Sequence, residues 1–161
     1  MFPEQELDVK EVIDLLREKN LTIATAESCT GGLIGAELVN VPGASDVYGF
    51  GFITYANEAK EKILGVRKET LSTVGAVSPE TAEEMARGAA RAAGSDLAVS
   101  VTGIAGPGGG SPEKPVGLVY IGLYDRGNVI VEKCLFSGDR TKIRNQTRDT
   151  AISLILRALR G

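Results

Sequence analysis

Short apolar segments alternate with helical patterns along most of this chain, and this alternation restricts the folds open to it. Five segments have the length and the β-branched or small residues typical of strands: 21–26, 49–55, 96–102, 116–124 and 128–136. Helical patterns separate the first three, whereas the last two flank a short turn as a hairpin. We therefore expect an α/β fold in a single domain over residues 1–161. One mixed sheet would be covered by helices on both faces, in three α/β/α layers.

Helical patterns occupy most of the remaining chain. Helices are predicted over five stretches: 5–19, 32–40, 57–64, 78–94 and 139–160. Asn57 is expected to cap the third helix, and Ser78-Pro79-Glu80 is a strong start signal for the fourth. In sheets of this kind, ligands bind at the carboxyl ends of the strands. Three motifs follow predicted strands there: Ser28, the segment 55–60 and a glycine-rich loop at 102–110.

The absence of histidine limits the chemistry that the chain can perform. Ser-His-Asp catalysis, Cys-His catalysis and histidine-ligated zinc are all excluded, so a general base must be Lys, Tyr, Asp or Glu. The net charge of −3 argues against a nucleic-acid surface, and no apolar run approaches the roughly 18 residues of a membrane span. The acidic start MFPEQE predicts no secretory signal, and two cysteines suit a reduced, cytoplasmic protein.

Ser28 lies between a predicted strand and a Gly-Gly helix start. Free backbone N–H groups at a helix N-terminus stabilise an oxyanion, so Ser28 is a candidate nucleophile. Its neighbours do not form the G-x-S-x-G motif, and a serine at this position is also an ordinary helix cap. Cys29 is an alternative nucleophile, although a buried cysteine without a histidine partner is more often inert packing.

Lys60 is predicted to lie on the apolar face of its helix, because Ile63 and Leu64 follow it by three and four residues. Lys62 is about 200° around the helix from Lys60 and is predicted to face solvent. A lysine on an apolar face either extends its charge to solvent or is held near neutrality by desolvation. In the second case Lys60 is a suitable general base for a serine.

Two groups of residues are candidates for holding an anionic ligand. The glycine-rich loop lets backbone N–H groups approach a ligand closely, but it matches neither a P-loop nor a Rossmann fingerprint, and a flexible surface loop is the alternative. Arg140 and Arg144 share a face in the first turns of the last predicted helix, where the helix dipole disfavours cations. An anionic ligand would offset that cost; a solvated basic face is the alternative, since Arg148 continues the row.

The motifs together resemble one known family. They are Ala26-Glu27-Ser28-Cys29-Thr30-Gly31-Gly32, Tyr55-x-Asn57-x-x-Lys60 with Ile63-Leu64-Gly65-Val66, Val77-Ser78-Pro79-Glu80-Thr81-Ala82, Thr102-Gly103-Ile104-Ala105-Gly106-Pro107-Gly108-Gly109 and Gly138-Asp139-Arg140. Their sequence and order resemble the CinA C-terminal domain family over about residues 7–159. Some members of that family are nicotinamide-nucleotide amidohydrolases. Longer members carry a further N-terminal domain that this sequence is expected to lack.

The resemblance implies hydrolysis of nicotinamide mononucleotide to nicotinate mononucleotide and ammonia, in pyridine-nucleotide salvage. It assigns catalysis to Ser28, Tyr55 and Lys60, and implies a homo-oligomer. No metal or cofactor is expected, because a serine nucleophile needs none and the sequence shows no cluster of metal ligands. The residues expected to bind substrate are Thr30, Gly31, Gly32, Asn57, Thr102, Gly103, Gly106, Gly108, Arg140 and Arg144. Two alternatives remain open: a nucleotide-binding regulatory module with the same pocket but no turnover, and a metal-dependent phosphoryl-transfer enzyme.

Overall fold

The computed structural model describes residues 2–161, with side chains from Asp8 onward. The sequence predicts that the first six residues carry no secretory signal, and the side chains of these residues are not among those described. In the described part of the chain, five strands form one sheet in the order β2-β1-β3-β4-β5. Their bounds are Ile23–Glu27 for β1, Tyr48–Ile53 for β2, Leu97–Gly103 for β3, Leu118–Asp125 for β4 and Asn128–Leu135 for β5.

The strand order creates a crevice at one edge of the sheet. β1 pairs in parallel with both β2 and β3, so the carboxyl ends of these three strands meet at the same edge. The chain runs from β1 to β2 on one side and then crosses over to β3 on the other. Loops that leave neighbouring strands in opposite directions open a crevice, which is the usual ligand site in such sheets. β3–β4 and β4–β5 are antiparallel, which makes the sheet mixed.

Within residues 2–161, six α-helices cover the two faces of the sheet. Their bounds are Phe2–Lys19 for α1, Leu33–Val39 for α2, Asn57–Leu64 for α3, Lys68–Thr73 for α4, Pro79–Ala93 for α5 and Arg140–Arg160 for α6. One core joins α1, α2 and α6 to the side chains of Val99, Ile121 and their neighbours on the strands. A second, smaller core joins α3 and α5 to Ala24, Ala26 and Ala98 on the opposite face. The predicted three-layer α/β/α arrangement is therefore confirmed.

Several local predictions differ from the structure. The short helix α4 was not predicted, because KETLST has no apolar periodicity; it is attached instead by the Thr70 hydroxyl, which donates to the Glu84 carboxylate at 2.7 Å. Asn57 is the first residue of α3 and not its cap, which is Ala56. Ile63 is 49% exposed, so it does not share the buried face of Lys60.

In the part of the chain that the structure describes, no helix is both long and apolar enough to cross a bilayer.

Candidate active site

A cavity of about 290 Å³ lies at the carboxyl edge of β1, β2 and β3. The segments that follow these three strands all contribute to its walls, together with the start of α6. Nine of the predicted site residues line it: Ser28, Tyr55, Asn57, Lys60, Thr102, Gly103, Gly106, Gly108 and Arg140. The structure thus brings together, at one edge, residues as much as 112 positions apart in the chain, from Ser28 to Arg140.

Ser28 sits on a tight turn that connects β1 to α2. It is 8% exposed, and its own N–H donates to the carbonyl of Val101 on β3 at 3.1 Å, which ties the turn to the sheet. The carbonyl of Ser28 accepts from the N–H of Gly31 at 3.1 Å. Gly31 and Gly32 have φ values of +59° and +115°, a left-handed backbone that glycine adopts without a steric penalty. The Gly-Gly pair after Ser28 is therefore required by the shape of the turn.

The buried carboxylate of Glu27 holds the far side of this turn. One oxygen accepts from the Thr30 hydroxyl at 2.5 Å and from the N–H groups of Gly32 and Ile34, and the other accepts from the N–H of Gly35. These N–H groups belong to the first turn of α2, where the helix itself offers no acceptor and a negative charge is stabilised by the dipole. Glu27 was not among the predicted site residues. A charged residue at the end of a fully buried strand was the signal that could have found it.

Lys60 reaches Ser28 from α3, which lies on the other face of the sheet from α2. Its side chain is 1% exposed, whereas that of Lys62 is 72% exposed and pairs with Glu58. The predicted inward and outward directions of these two lysines are therefore confirmed. Desolvation lowers the pKa of Lys60 to about 8, and an amine with that pKa is neutral in a useful fraction of molecules near neutral pH.

Three oxygen atoms surround the Lys60 amine. The ammonium form donates to Ser28 Oγ at 2.9 Å and to the carbonyls of Thr54 and Tyr55 at 2.8 and 3.3 Å. Carbonyl oxygens only accept hydrogen bonds, so in the neutral amine they would take its two N–H groups. The remaining lone pair would then face the Ser28 hydroxyl. This arrangement suits an amine that removes a proton from serine.

Tyr55 and Arg140 form the mouth of the cavity. The guanidinium of Arg140 donates to the carbonyl of Gly106 at 2.8 Å and to the Tyr55 hydroxyl at 3.0 Å. The Tyr55 side chain is 62% exposed, and its hydroxyl bonds Arg140 and neither Ser28 nor Lys60. Arg140 therefore links the glycine-rich loop to the segment before α3 and leaves a cation at the entrance.

Four predicted substrate-binding residues do not line the cavity: Thr30, Gly31, Gly32 and Arg144. Thr30 is fully buried, and its hydroxyl is held by Glu27. Arg144 donates from Nε to the carbonyl of Cys29 and from a terminal nitrogen to the carbonyl of Thr30, both at 2.9 Å. Nothing in this geometry supports substrate contact by these four residues, which instead build or brace the turn that carries Ser28.

Other groups around the cavity were either missed or left open by the sequence. Ala76 and Val77 line it as part of the loop before α5, and the hydroxyl of Thr102 donates to the carbonyl of Ala76 at 2.8 Å. Burial raises the pKa of the Cys29 thiol to about 11, so it is protonated near neutral pH and a poor nucleophile. From Asp8 onward, no three Cys, Asp or Glu side chains form a group suited to a metal ion.

These features define a class of α/β/α domain that carries a buried serine–lysine pair at the carboxyl edge of a mixed sheet. The family model for the CinA C-terminal domain matches residues 6–159, and the chain belongs to that family. A CinA-like protein of Kosmotoga olearia is 60% identical over 148 residues, which are 92% of this chain and 36% of that protein. A putative competence-damage inducible protein of Clostridium beijerinckii is 51% identical over 160 residues. The chain spans 39% of the length of this second relative.

Solved structures agree with this assignment. The competence/damage inducible protein CihA from Agrobacterium tumefaciens superimposes with a TM-score of 0.93 at 47% identity, covering 98% of this chain and 96% of that one. The competence damage-inducible protein A (ComA) from Klebsiella pneumoniae gives a TM-score of 0.93 at 34% identity, with 96% of each chain covered. The fold predicted from the sequence and its family resemblance are therefore both confirmed.

Proposed function

We propose that this domain hydrolyses the carboxamide of nicotinamide mononucleotide to nicotinate mononucleotide and ammonia. The observation that carries the proposal is the 2.9 Å contact between Lys60 Nζ and Ser28 Oγ, made by a lysine that is 1% exposed. A desolvated lysine with a lowered pKa activates a serine as histidine does in other hydrolases. The choice of a nicotinamide nucleotide as substrate rests on the family resemblance.

The first half of the reaction transfers the acyl group to the enzyme. The neutral amine of Lys60 takes the proton of Ser28 as Oγ attacks the carboxamide carbon. Cys29 lines the cavity and its N–H has no acceptor among the described residues, so this N–H is the expected donor to the oxyanion. Lys60 then gives the proton to the amino group, the carbon–nitrogen bond breaks, and ammonia leaves an ester on Ser28.

The second half consumes one water molecule. Lys60, neutral again, takes a proton from water as the water oxygen attacks the ester carbon. The bond from carbon to Ser28 Oγ breaks, Oγ takes the proton back, and the carboxylic acid ionises to nicotinate mononucleotide. Each turnover therefore consumes one amide and one water and releases one carboxylate, one ammonia and one proton, which together leave as a carboxylate and an ammonium ion.

The mouth of the cavity is the proposed binding site for the nucleotide phosphate. Arg140 supplies a cation there, and Gly106 and Gly108 lie beside it on the loop. Tyr55, assigned to catalysis by the resemblance, is proposed to close the mouth beside Arg140, because its hydroxyl bonds that arginine. A guanidinium and backbone N–H groups are typical phosphate ligands.

Ammonia release from nicotinamide mononucleotide by the purified protein tests this proposal. We expect turnover by the wild type with and without a chelator. Ser28→Ala should lose at least about a thousandfold in kcat, because the nucleophile is gone. Folding should be retained, since Ser28 is small and lies at the cavity wall. Wild-type protein that binds the nucleotide without releasing ammonia would instead identify a regulatory module, and a metal requirement would favour phosphoryl transfer.

A further inference from the structure

The turn from Ser28 to Gly32 is held by two opposite charges. The Glu27 carboxylate accepts from N–H groups and the Thr30 hydroxyl on one side. On the other side, the Arg144 guanidinium donates to the carbonyls of Cys29 and Thr30. Arg144 comes from α6, so its two bonds also connect the turn to a helix that starts more than a hundred residues later.

These bonds determine which backbone groups of the turn remain free. The carbonyls of Ser28, Cys29 and Thr30 all have donors. The N–H groups of Gly31 and Gly32 have acceptors in Ser28 and Glu27. Within the described part of the chain, the N–H groups of Cys29 and Thr30 have none. The turn is thus arranged so that its unused backbone groups are donors and not acceptors.

We propose that Arg144 is a positioning residue for the oxyanion site. It does not line the cavity, so it acts through the turn and not on the substrate. The C=O of Cys29 and the N–H of Thr30 belong to one planar trans peptide and point in opposite directions, so the bond to this carbonyl fixes the whole peptide. The N–H of Cys29 belongs to the preceding peptide, whose Ser28 carbonyl is held by Gly31. By holding the Cys29 carbonyl toward α6, the guanidinium prevents a rotation of the Cys29–Thr30 peptide that would aim this carbonyl at an oxyanion beside the Cys29 N–H. Such a carbonyl would repel the negative charge and oppose the stabilisation that the N–H of Cys29 supplies.

The planar guanidinium is needed for this task. Nε and a terminal nitrogen reach two successive carbonyls at 2.9 Å each, which is a two-pronged contact. A lysine ammonium is a point charge on a flexible stem and does not reproduce that fork. We therefore expect Arg144→Lys to keep the charge and the fold but to lose the positioning. This inference rests on the proposed function for the identity of the substrate and for Ser28 as the nucleophile.

The first test compares Arg144→Ala and Arg144→Lys with Arg148→Ala. Arg148 lies one helical turn further along α6 and pairs with Asp149. We expect both Arg144 variants to lose about a hundredfold in kcat for nicotinamide mononucleotide, the loss typical of removing one oxyanion donor, while KM changes less than about threefold. Arg148→Ala should match the wild type. If Arg144→Ala fails to fold, Arg144→Lys decides the same comparison.

The second test does not depend on the substrate. A fluorophosphonate phosphonylates an activated serine, because the bond from Oγ to phosphorus forms as fluoride leaves, and mass spectrometry locates the adduct on Ser28. We expect both Arg144 variants to react at least about tenfold more slowly than the wild type and Arg148→Ala.

The outcomes separate the two proposals. If labelling is slower in the Arg144 variants than in the wild type, and the wild type releases no ammonia, the positioning role holds and the proposed substrate is refuted. Ammonia release with kcat and labelling unchanged in the Arg144 variants overturns the positioning role and leaves the proposed function standing. A rise in KM at unchanged kcat would also overturn it, because Arg144 would then contact substrate. Wild-type protein that neither reacts nor hydrolyses overturns both.

Discussion

The burial of Lys60 lowers the stability of the folded domain, and the same burial gives the amine the lowered pKa that the proposed chemistry requires. Its amine is surrounded by oxygen atoms but shielded from water, and this burial lowers the pKa to about 8 from an ordinary value of 10.5. Between these two values the unfolded chain binds more protons than the folded one. The free energy of unfolding therefore rises as the pH increases through this window.

Replacing Lys60 with methionine should remove that pH dependence. Between about pH 8 and about pH 10, the free energy of unfolding of the wild type should rise relative to Lys60→Met by up to about 3 kcal/mol. Denaturant unfolding at a series of pH values measures the difference. The exposed Lys62→Met is the control. If the free energy of unfolding changed with pH in the same way for wild type and Lys60→Met, the Lys60 amine would have an ordinary pKa in the folded protein.

Arg140 is expected to act on binding more than on chemistry, because it stands at the mouth of the cavity and contacts neither Ser28 nor Lys60. Arg140→Ala should raise KM for nicotinamide mononucleotide about tenfold or more, with a smaller change in kcat. Free nicotinamide has no phosphate, so its low kcat/KM should be the same for both proteins. Steady-state kinetics with the two substrates measure this. Equal kcat/KM for nicotinamide and its mononucleotide in the wild type would contradict a phosphate-anchored site.

The helix α3 owes its position to a close contact with α5. At Gly88 of α5, an added Cβ would lie 1.8 Å from the carbonyl oxygen of Leu64, the last residue of α3. Arg91, one turn later on α5, donates to the same carbonyl at 3.2 Å. Only glycine permits this approach, and the approach seats Leu64 in the core while Lys60, one turn earlier, meets Ser28.

Gly88→Ala should therefore affect both stability and activity. We expect a loss of more than about 2 kcal/mol in the free energy of unfolding, because the new methyl group meets backbone that cannot yield locally. The activity of the folded fraction should fall as well, since α3 must shift with Lys60. Gly49→Ala, where the added Cβ has no neighbour within 4 Å, is the matched control for both chemical unfolding and ammonia release. A stable Gly88→Ala protein with full activity would show that the position of α3 does not depend on this contact.

The layers of the fold were predictable because local patterns determine them. The helix start at Ser78-Pro79 and the end of α3 at Gly65 are short-range signals, and the structure has both. The burial of Lys60 followed from its spacing to Leu64. The exposure of Ile63 did not, because helical spacing does not define how wide the buried face of a short helix is.

The contacts of the candidate site were less predictable than its residues. Arg144 was predicted to bind substrate, but its acceptors are backbone carbonyls 114 and 115 positions away, which no local pattern encodes. The same holds for Tyr55 and Arg140, 85 positions apart. Sequence spacing identified the segments that follow the strands. The crossing of the chain from β2 over β1 to β3 decides which of their side chains meet.

The central claim is that a neutral Lys60 activates Ser28, and ammonia release by Lys60→Arg tests it most directly. Arginine keeps the positive charge but does not lose its proton in proteins, so it cannot act as a base. We predict that Lys60→Arg is almost as inactive as Lys60→Ala and that Lys62→Ala matches the wild type. The wild-type kcat/KM should fall tenfold per unit as the pH drops below about 8. Substantial activity in Lys60→Arg would contradict the claim, because position 60 would then act through its charge alone.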